Sequence, residues 1–196
     1  MKNRTVATAA LALAAALALA GCTSGNTDEE AAPESSSTST QAADFNDADV
    51  MFATMMIPHH EQAIEMSDMV LGEDGVDPAV ADLAQEIKGA QGPEIEQLEG
   101  WLTDWGVDAD DAGGMDHGGM DGMMSEDDMA ELEAADGAEA SRLFLEQMIE
   151  HHEGAVEMAQ TQIDDGRNPD AVALAQDIVD AQTGEIDQMR DMLADL

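Results

Sequence analysis

Placed on a helical wheel at about 100° per residue, the segment "MMIPHHEQAIEM" (Met55–Met66) gathers its apolar side chains on one face. Phe52, Met55, Ala63, Met66 and Val70 fall within about 40° of His59, so a histidine sits in the middle of an apolar stripe. The pattern predicts a helix near 44–71, with Pro58 placed to kink or break it. A second stripe, Val80, Ala84, Ile87, Leu98 and Leu102, predicts a helix near 78–104. Further helices are predicted near 139–165 and 170–195, and a shorter one at about 125–136. Asp77-Pro78 and Asn168-Pro169 each provide an N-cap followed by proline at the first helical position. Ser125 with Asp128 three residues on marks the start of the short helix.

The chain repeats itself. "MIPHHEQAIEM" aligns with "MIEHHEGAVEM" at an offset of 92 residues, Met56 falling on Met148. Downstream, "DPAVADLAQEIKGAQGPEIEQL" aligns with "NPDAVALAQDIVDAQTGEIDQM" at an offset of 91. The lost residue lies in the turn, where length changes are tolerated. Each repeat is a helical hairpin, and one hairpin cannot bury its own apolar stripe. Two can bury theirs against each other, so the expected fold is all-α, a four-helix bundle of two repeated hairpins plus one short linking helix.

The polar residues on these stripes need explaining. His151 shares its face with Phe144, Ala155 and Met158. Gln91 is central on the second stripe with Glu94 at its edge, and Gln182 and Glu185 take the equivalent places. Burying such groups without partners costs about 1–3 kcal/mol each, and more for a charged glutamate. One account is a satisfied network in which Gln91 and Glu94 hydrogen-bond His59, repeated in the second hairpin. The other is a metal site, because imidazole is the commonest protein metal ligand. His60 is expected to one side, toward a groove, in an i, i+4 pair with Met56, and His152 likewise with Met148. Thioethers there would select a soft ion, chiefly Cu(I).

The doubled M-I-x-H-H-x-x-A-[IV]-E-M followed by Q-x-x-E-I resembles the bacterial family called domain of unknown function 305. The motif falls on Met56, His59, His60 and Met66, and again on Met148, His151, His152 and Met158. The resemblance covers about residues 44–196. It implies a ferritin-like bundle, secretion or a lipid anchor, and an association with copper. The di-iron ferritin pattern itself is missing: no glutamate stands three residues before any of the four motif histidines.

The N-terminus changes where the domain is expected. Lys2 and Arg4 precede an apolar run from Val6 to Ala20, and Leu19-Ala20-Gly21-Cys22 follows, so residues 1–21 have the layout of a signal peptide. The Leu-Ala-Gly-Cys ending resembles a bacterial lipobox, which makes Cys22, the chain's single cysteine, the expected lipidation site. An intrachain disulfide and a cysteine-based zinc site are excluded. Residues 22–43, Ser/Thr-rich with acids and one proline, read as a disordered tether, and 44–196 as the bundle. Nothing after residue 21 is apolar for long enough to span a bilayer, so the expected membrane attachment is the lipid alone.

Charge narrows the partners. The 196 residues carry 6 basic and 44 acidic side chains, a net charge of −38. Such a surface repels nucleic acid and anionic headgroups and attracts cations, although solubility or salt adaptation alone would account for much of it.

Between the repeats runs "GGMDHGGMDGMM", Gly113 to Met124. Methionine in a Gly/Asp stretch has no core to fill. Met115, His117, Met120 and Met123 therefore form a second candidate donor set for copper, as Cu(I) on thioethers or Cu(II) on His117 with Asp116 and Asp121.

These observations favour a non-catalytic copper-binding lipoprotein on the outer face of the cytoplasmic membrane, sequestering copper or passing it to a copper-handling partner. Two alternatives remain: a metal-dependent oxidase on a ferritin-like bundle, and an acidic interaction module whose histidines only complete the core. The oxidase lacks a visible acid/base pair or nucleophile, and the chain has no tyrosine.

Overall fold

The computed structural model describes residues 44–107 and 122–196. They fall in one compact unit, Thr40–Leu196. Five helices follow in order: α1 (Asp47–Gly72), α2 (Pro78–Trp105), α3 (Glu126–Ala134), α4 (Gly137–Asp165) and α5 (Pro169–Asp195). No strand occurs among the described residues. The expected tether, signal peptide and Cys22, and most of the methionine/histidine segment, lie outside them.

The caps follow the local sequence. Asp77 and Asn168 accept hydrogen bonds from the first amides of α2 and α5, with Pro78 and Pro169 opening each helix. Ser125 and Asp128 form the capping box of α3. A second box, not foreseen, sets the start of α1 at Asp47: Asn46 accepts from the Asp49 amide at 3.0 Å and the Asp49 carboxylate accepts from the Asn46 amide at 2.7 Å. Gly106, at φ 71°, closes α2 in the left-handed conformation that favours glycine.

Pro58 does not break α1, which runs unbroken from Asp47 to Gly72. Proline removes one hydrogen bond of the helical ladder. Met56, His59, Ala63 and Met66, on both sides of it, are fully buried, so the packing holds one helix through the defect.

α1 packs on α2, α4 packs on α5, and the two hairpins meet through α1 and α4. α3 lies against both of these central helices. Two apolar clusters form the core. One holds Ala63, Met66 and Val70 of α1 with Phe144, Leu145 and Met148 of α4. The other holds Phe52, Ala53 and Met56 of α1 with Ala155 and Ala159 of α4. Early α1 thus pairs with late α4, which makes the central helices antiparallel and brings His59 and His151 to their crossing.

The internal repeat survives in the hydrogen bonds at the hairpin turns. Ser141 Oγ accepts from the Asp77 amide at 2.9 Å, and Asp49 Oδ1 accepts from the Asn168 amide at 3.1 Å. Positions 49 and 141, and 77 and 168, are equivalent in the repeat alignment. Each hairpin's first helix therefore fastens the turn of the other hairpin, once with a hydroxyl and once with a carboxylate.

Candidate metal centre

His59, His60, His151 and His152 are all buried, each at most 1% exposed. They lie between the two apolar clusters. The His59 and His151 rings face each other with centroids 3.7 Å apart and planes inclined by 41°. Both nitrogens of both rings lack a hydrogen-bond partner.

His60 and His152 differ from their neighbours. The His60 Nε2 is 2.7 Å from Glu94 Oε2, and the His152 Nε2 is 2.7 Å from Glu185 Oε2. This corrects two expectations. Glu94 holds His60 rather than His59, and His60 and His152 lie in the interior rather than beside a groove. In a bundle, α1 is covered by two neighbours at once, so its buried arc is wide enough for two adjacent residues about 100° apart.

The glutamates settle the roles of the ring atoms. A carboxylate only accepts, so Nε2 is the donor to it, and in the neutral ring Nδ1 carries the lone pair. In both rings that Nδ1 is buried without a partner. A carboxylate on one nitrogen and a free lone pair on the other is the arrangement in which a histidine ligates metal. Burial is the main cause that pushes the His59 pKa from 6.5 down to about 3, and His60 and His152 add to it. Burial drives His151 well below the same value, followed by His59, His152 and His60. The facing pair is thus neutral at pH 7, with a lone pair available on each ring.

A small cavity lies beside the two glutamates. Ala90, Gln91 and Glu94 of α2 and Ile178, Ala181, Gln182 and Glu185 of α5 line a cavity of about 20 Å³, near the size of one water or ion. The Glu94 and Glu185 side chains are 23% and 22% exposed, so the carboxylates link the buried rings to solvent. Gln91 and Gln182 are buried, and their Oε1 atoms have no partner.

The predicted methionines separate. Met56 and Met148 are fully buried, one turn before His60 and His152. Met66 is fully buried in the cluster on the other side, two turns or about 10 Å from His59 along α1. Met158 is half-buried and lines a surface groove of about 340 Å³ beside α1. Met123 is half-buried just before α3. Met115, His117 and Met120 lie outside the described residues. Among the described residues, no three His, Cys, Asp or Glu side chains are already gathered as a metal cluster.

Residues 49–193 match the family model for a domain of unknown function, DUF305. The chain belongs to the DUF305 family. It is similar to the crystal structure of a DUF305 protein from Streptomyces coelicolor, described as a candidate secreted protein. That chain is 35% identical, with 79% of this chain and 94% of that one covered at a TM-score of 0.68. A DUF305 fragment from Deinococcus radiodurans is 34% identical, covering 77% and 98% at a TM-score of 0.69. CopM in its Cu(I)-bound form is 31% identical, covering 75% and 96% at a TM-score of 0.61. CopM structures in Cu(II)-bound and Ag-bound forms match as well. No curated protein sequence matches the chain.

Proposed function

We propose that this protein binds copper outside the cytoplasm, as a lipid-anchored and non-catalytic copper protein. The observation that carries the reading is the buried pair His59 and His151, with ring centroids 3.7 Å apart and all four ring nitrogens unpartnered. A polar network that exists only to complete a core would satisfy those atoms. Similarity to CopM, which has been crystallised with Cu(I), Cu(II) and Ag, supports copper as the cargo. The relative from Streptomyces, described as a candidate secreted protein, and the lipobox-like residues ending at Cys22 support the location.

The residues divide the work. His59 and His151 offer ring nitrogens from the two central helices. His60 and His152 offer Nδ1 while Glu94 and Glu185 hold the far side of each ring. Met56 and Met148 add thioethers from the same faces of α1 and α4, which favours Cu(I) over harder divalent ions. The segment Met115–Met124 supplies, by its composition, a separate donor set for capture or transfer to a copper-handling partner. The lack of a Glu-x-x-His spacing supports binding rather than oxidation.

The test is titration of the mature protein and of His59→Asn/His151→Asn with Cu(I) and Cu(II). The double variant is expected to bind less copper, and copper is expected to raise the Tm of the wild type more than that of the variant. Equal uptake and equal copper-induced stabilisation would reject the histidine layer as a copper site.

A further inference from the structure

Three methionines meet outside the histidine layer. Met51 and Met55 of α1 and Met158 of α4 line one groove of about 340 Å³, together with Phe52, Gln162 and the exposed carboxylates of Asp47 and Asp165. Met51 and Met55 are an i, i+4 pair on one side of α1. Met158 comes from the antiparallel helix alongside.

Packing accounts for only one of the three. Met158 leans on the cluster around Phe52 and Met56. Met51 and Met55 belong to neither apolar cluster, and Met51 is 50% exposed. Leucine would cover the same helix surface with less loss of rotamer freedom than methionine. What methionine alone brings is a thioether sulfur. One polar side chain of the groove is also left with an unpaired atom. Gln162 is 1% exposed and lines this groove, its Nε2 donates to Asp49, and its Oε1 has no partner.

We propose that this groove is a separate site for a soft monovalent cation, Cu(I) or Ag(I), held by the thioethers of Met51, Met55 and Met158. Neutral sulfur donors bind such ions and discriminate against Zn(II) and Mg(II). Asp47 and Asp165 at the rim, in a strongly acidic chain, raise the local concentration of cations. The site does not depend on the histidine layer, and its ligands include two residues outside the repeated histidine motif.

The experiment is an Ag(I) titration of protein labelled with ¹³C at the methionine methyl groups, followed by NMR. Signals are assigned with single Met→Leu variants. The Met51, Met55 and Met158 signals are expected to move together and to saturate at about one Ag(I) per chain, both in the wild type and in His59→Asn/His151→Asn, while Zn(II) leaves them in place. Met51→Leu/Met55→Leu/Met158→Leu keeps the groove apolar; it is expected to retain the wild-type circular dichroism and to bind about one Ag(I) fewer. Three stationary signals, equal movement with Zn(II), or an unchanged Ag(I) count in the triple variant would overturn the proposal. Failure of the histidine layer alone would leave these methyl shifts intact, so the two sites are judged separately.

Discussion

His59 and His151 stand ring against ring where α1 crosses α4, with centroids 3.7 Å apart and no hydrogen bond to either ring. Two such groups cannot both take a proton, because each charge would be buried beside the other.

That geometry predicts how the metal-free protein responds to acid. The folded-state pKa of His59 is lowered to about 3, and that of His151 is lowered well below 6.5. In the unfolded chain both titrate near 6.5, so below that pH the unfolded state binds more protons and stability falls. The loss is about 1.4 kcal/mol per pH unit for each histidine kept neutral by folding. For His59 the loss continues from about pH 6.5 down to about 3, and it is read most cleanly between about pH 6.5 and 5, above the range where most carboxylates titrate. Urea unfolding at pH 7.5 and pH 5 should show this loss in the wild type, and a flatter dependence in His59→Asn/His151→Asn. Parallel curves for the two proteins would mean that the facing pair is not held neutral.

The His60–Glu94 and His152–Glu185 pairs give a second expectation. Each glutamate fixes one ring nitrogen as a donor and leaves the other free. Removing its charge while keeping its shape should weaken a metal bound at Nδ1. For Glu94→Gln/Glu185→Gln, copper affinity at the histidine layer should drop about 10- to 100-fold, the usual effect of losing a residue that orients a metal ligand. Competition against a Cu(I) chelator measures it. Unchanged affinity would show that His60 and His152 are core residues only.

Much of this was legible in the chain. The 3.6-residue period located four long helices, and the offset repeat paired them into hairpins. The angle from His59 to its apolar neighbours predicted that it points inward. The side of His60 was misjudged because a wheel drawn for one helix cannot show that two neighbours cover it. The same limit assigned Glu94 to His59, when the edge of α2 meets the side of α1. Asp49 gave no signal at all: it is one acid among 44 acidic residues, and its partners Gln162 and Asn168 lie 113 and 119 positions away. Met55 reads in the sequence only as part of the apolar stripe around His59, and Met51 gives no signal until the path of α4 places Met158 on the same groove.

The proposed membrane attachment rests on one residue, Cys22. Cys22→Ser removes the thiol proposed to carry the lipid and leaves the apolar segment before it unchanged. If a lipid on Cys22 is the anchor, the variant should leave the membrane fraction and be recovered in the soluble extracytoplasmic fraction. Immunoblotting of fractionated cells decides the point, and a variant that stays with the membrane would exclude the lipid as the sole attachment.

Asp49 offers the sharpest test of the fold. Its carboxylate is fully buried and accepts from the Asn46 amide at 2.7 Å, Gln162 Nε2 at 2.6 Å, and the Arg167 and Asn168 amides at 3.1 Å. Asp49→Ala strands all these donors at the junction of the two hairpins. The expected cost is about 3–5 kcal/mol, because several buried donors lose their acceptor at about 1–3 kcal/mol each. Ser141 holds the equivalent place in the second repeat but receives a single turn amide, from Asp77. Ser141→Ala should therefore cost only about 1 kcal/mol. Phe45, next to the Asn46 cap, stacks on Trp105 at 4.9 Å, so tryptophan fluorescence reports this end of the bundle directly. Denaturant midpoints read by that fluorescence should separate the two variants clearly. Similar midpoints would show that the turn amides find other partners and that Asp49 does not tie the hairpins together.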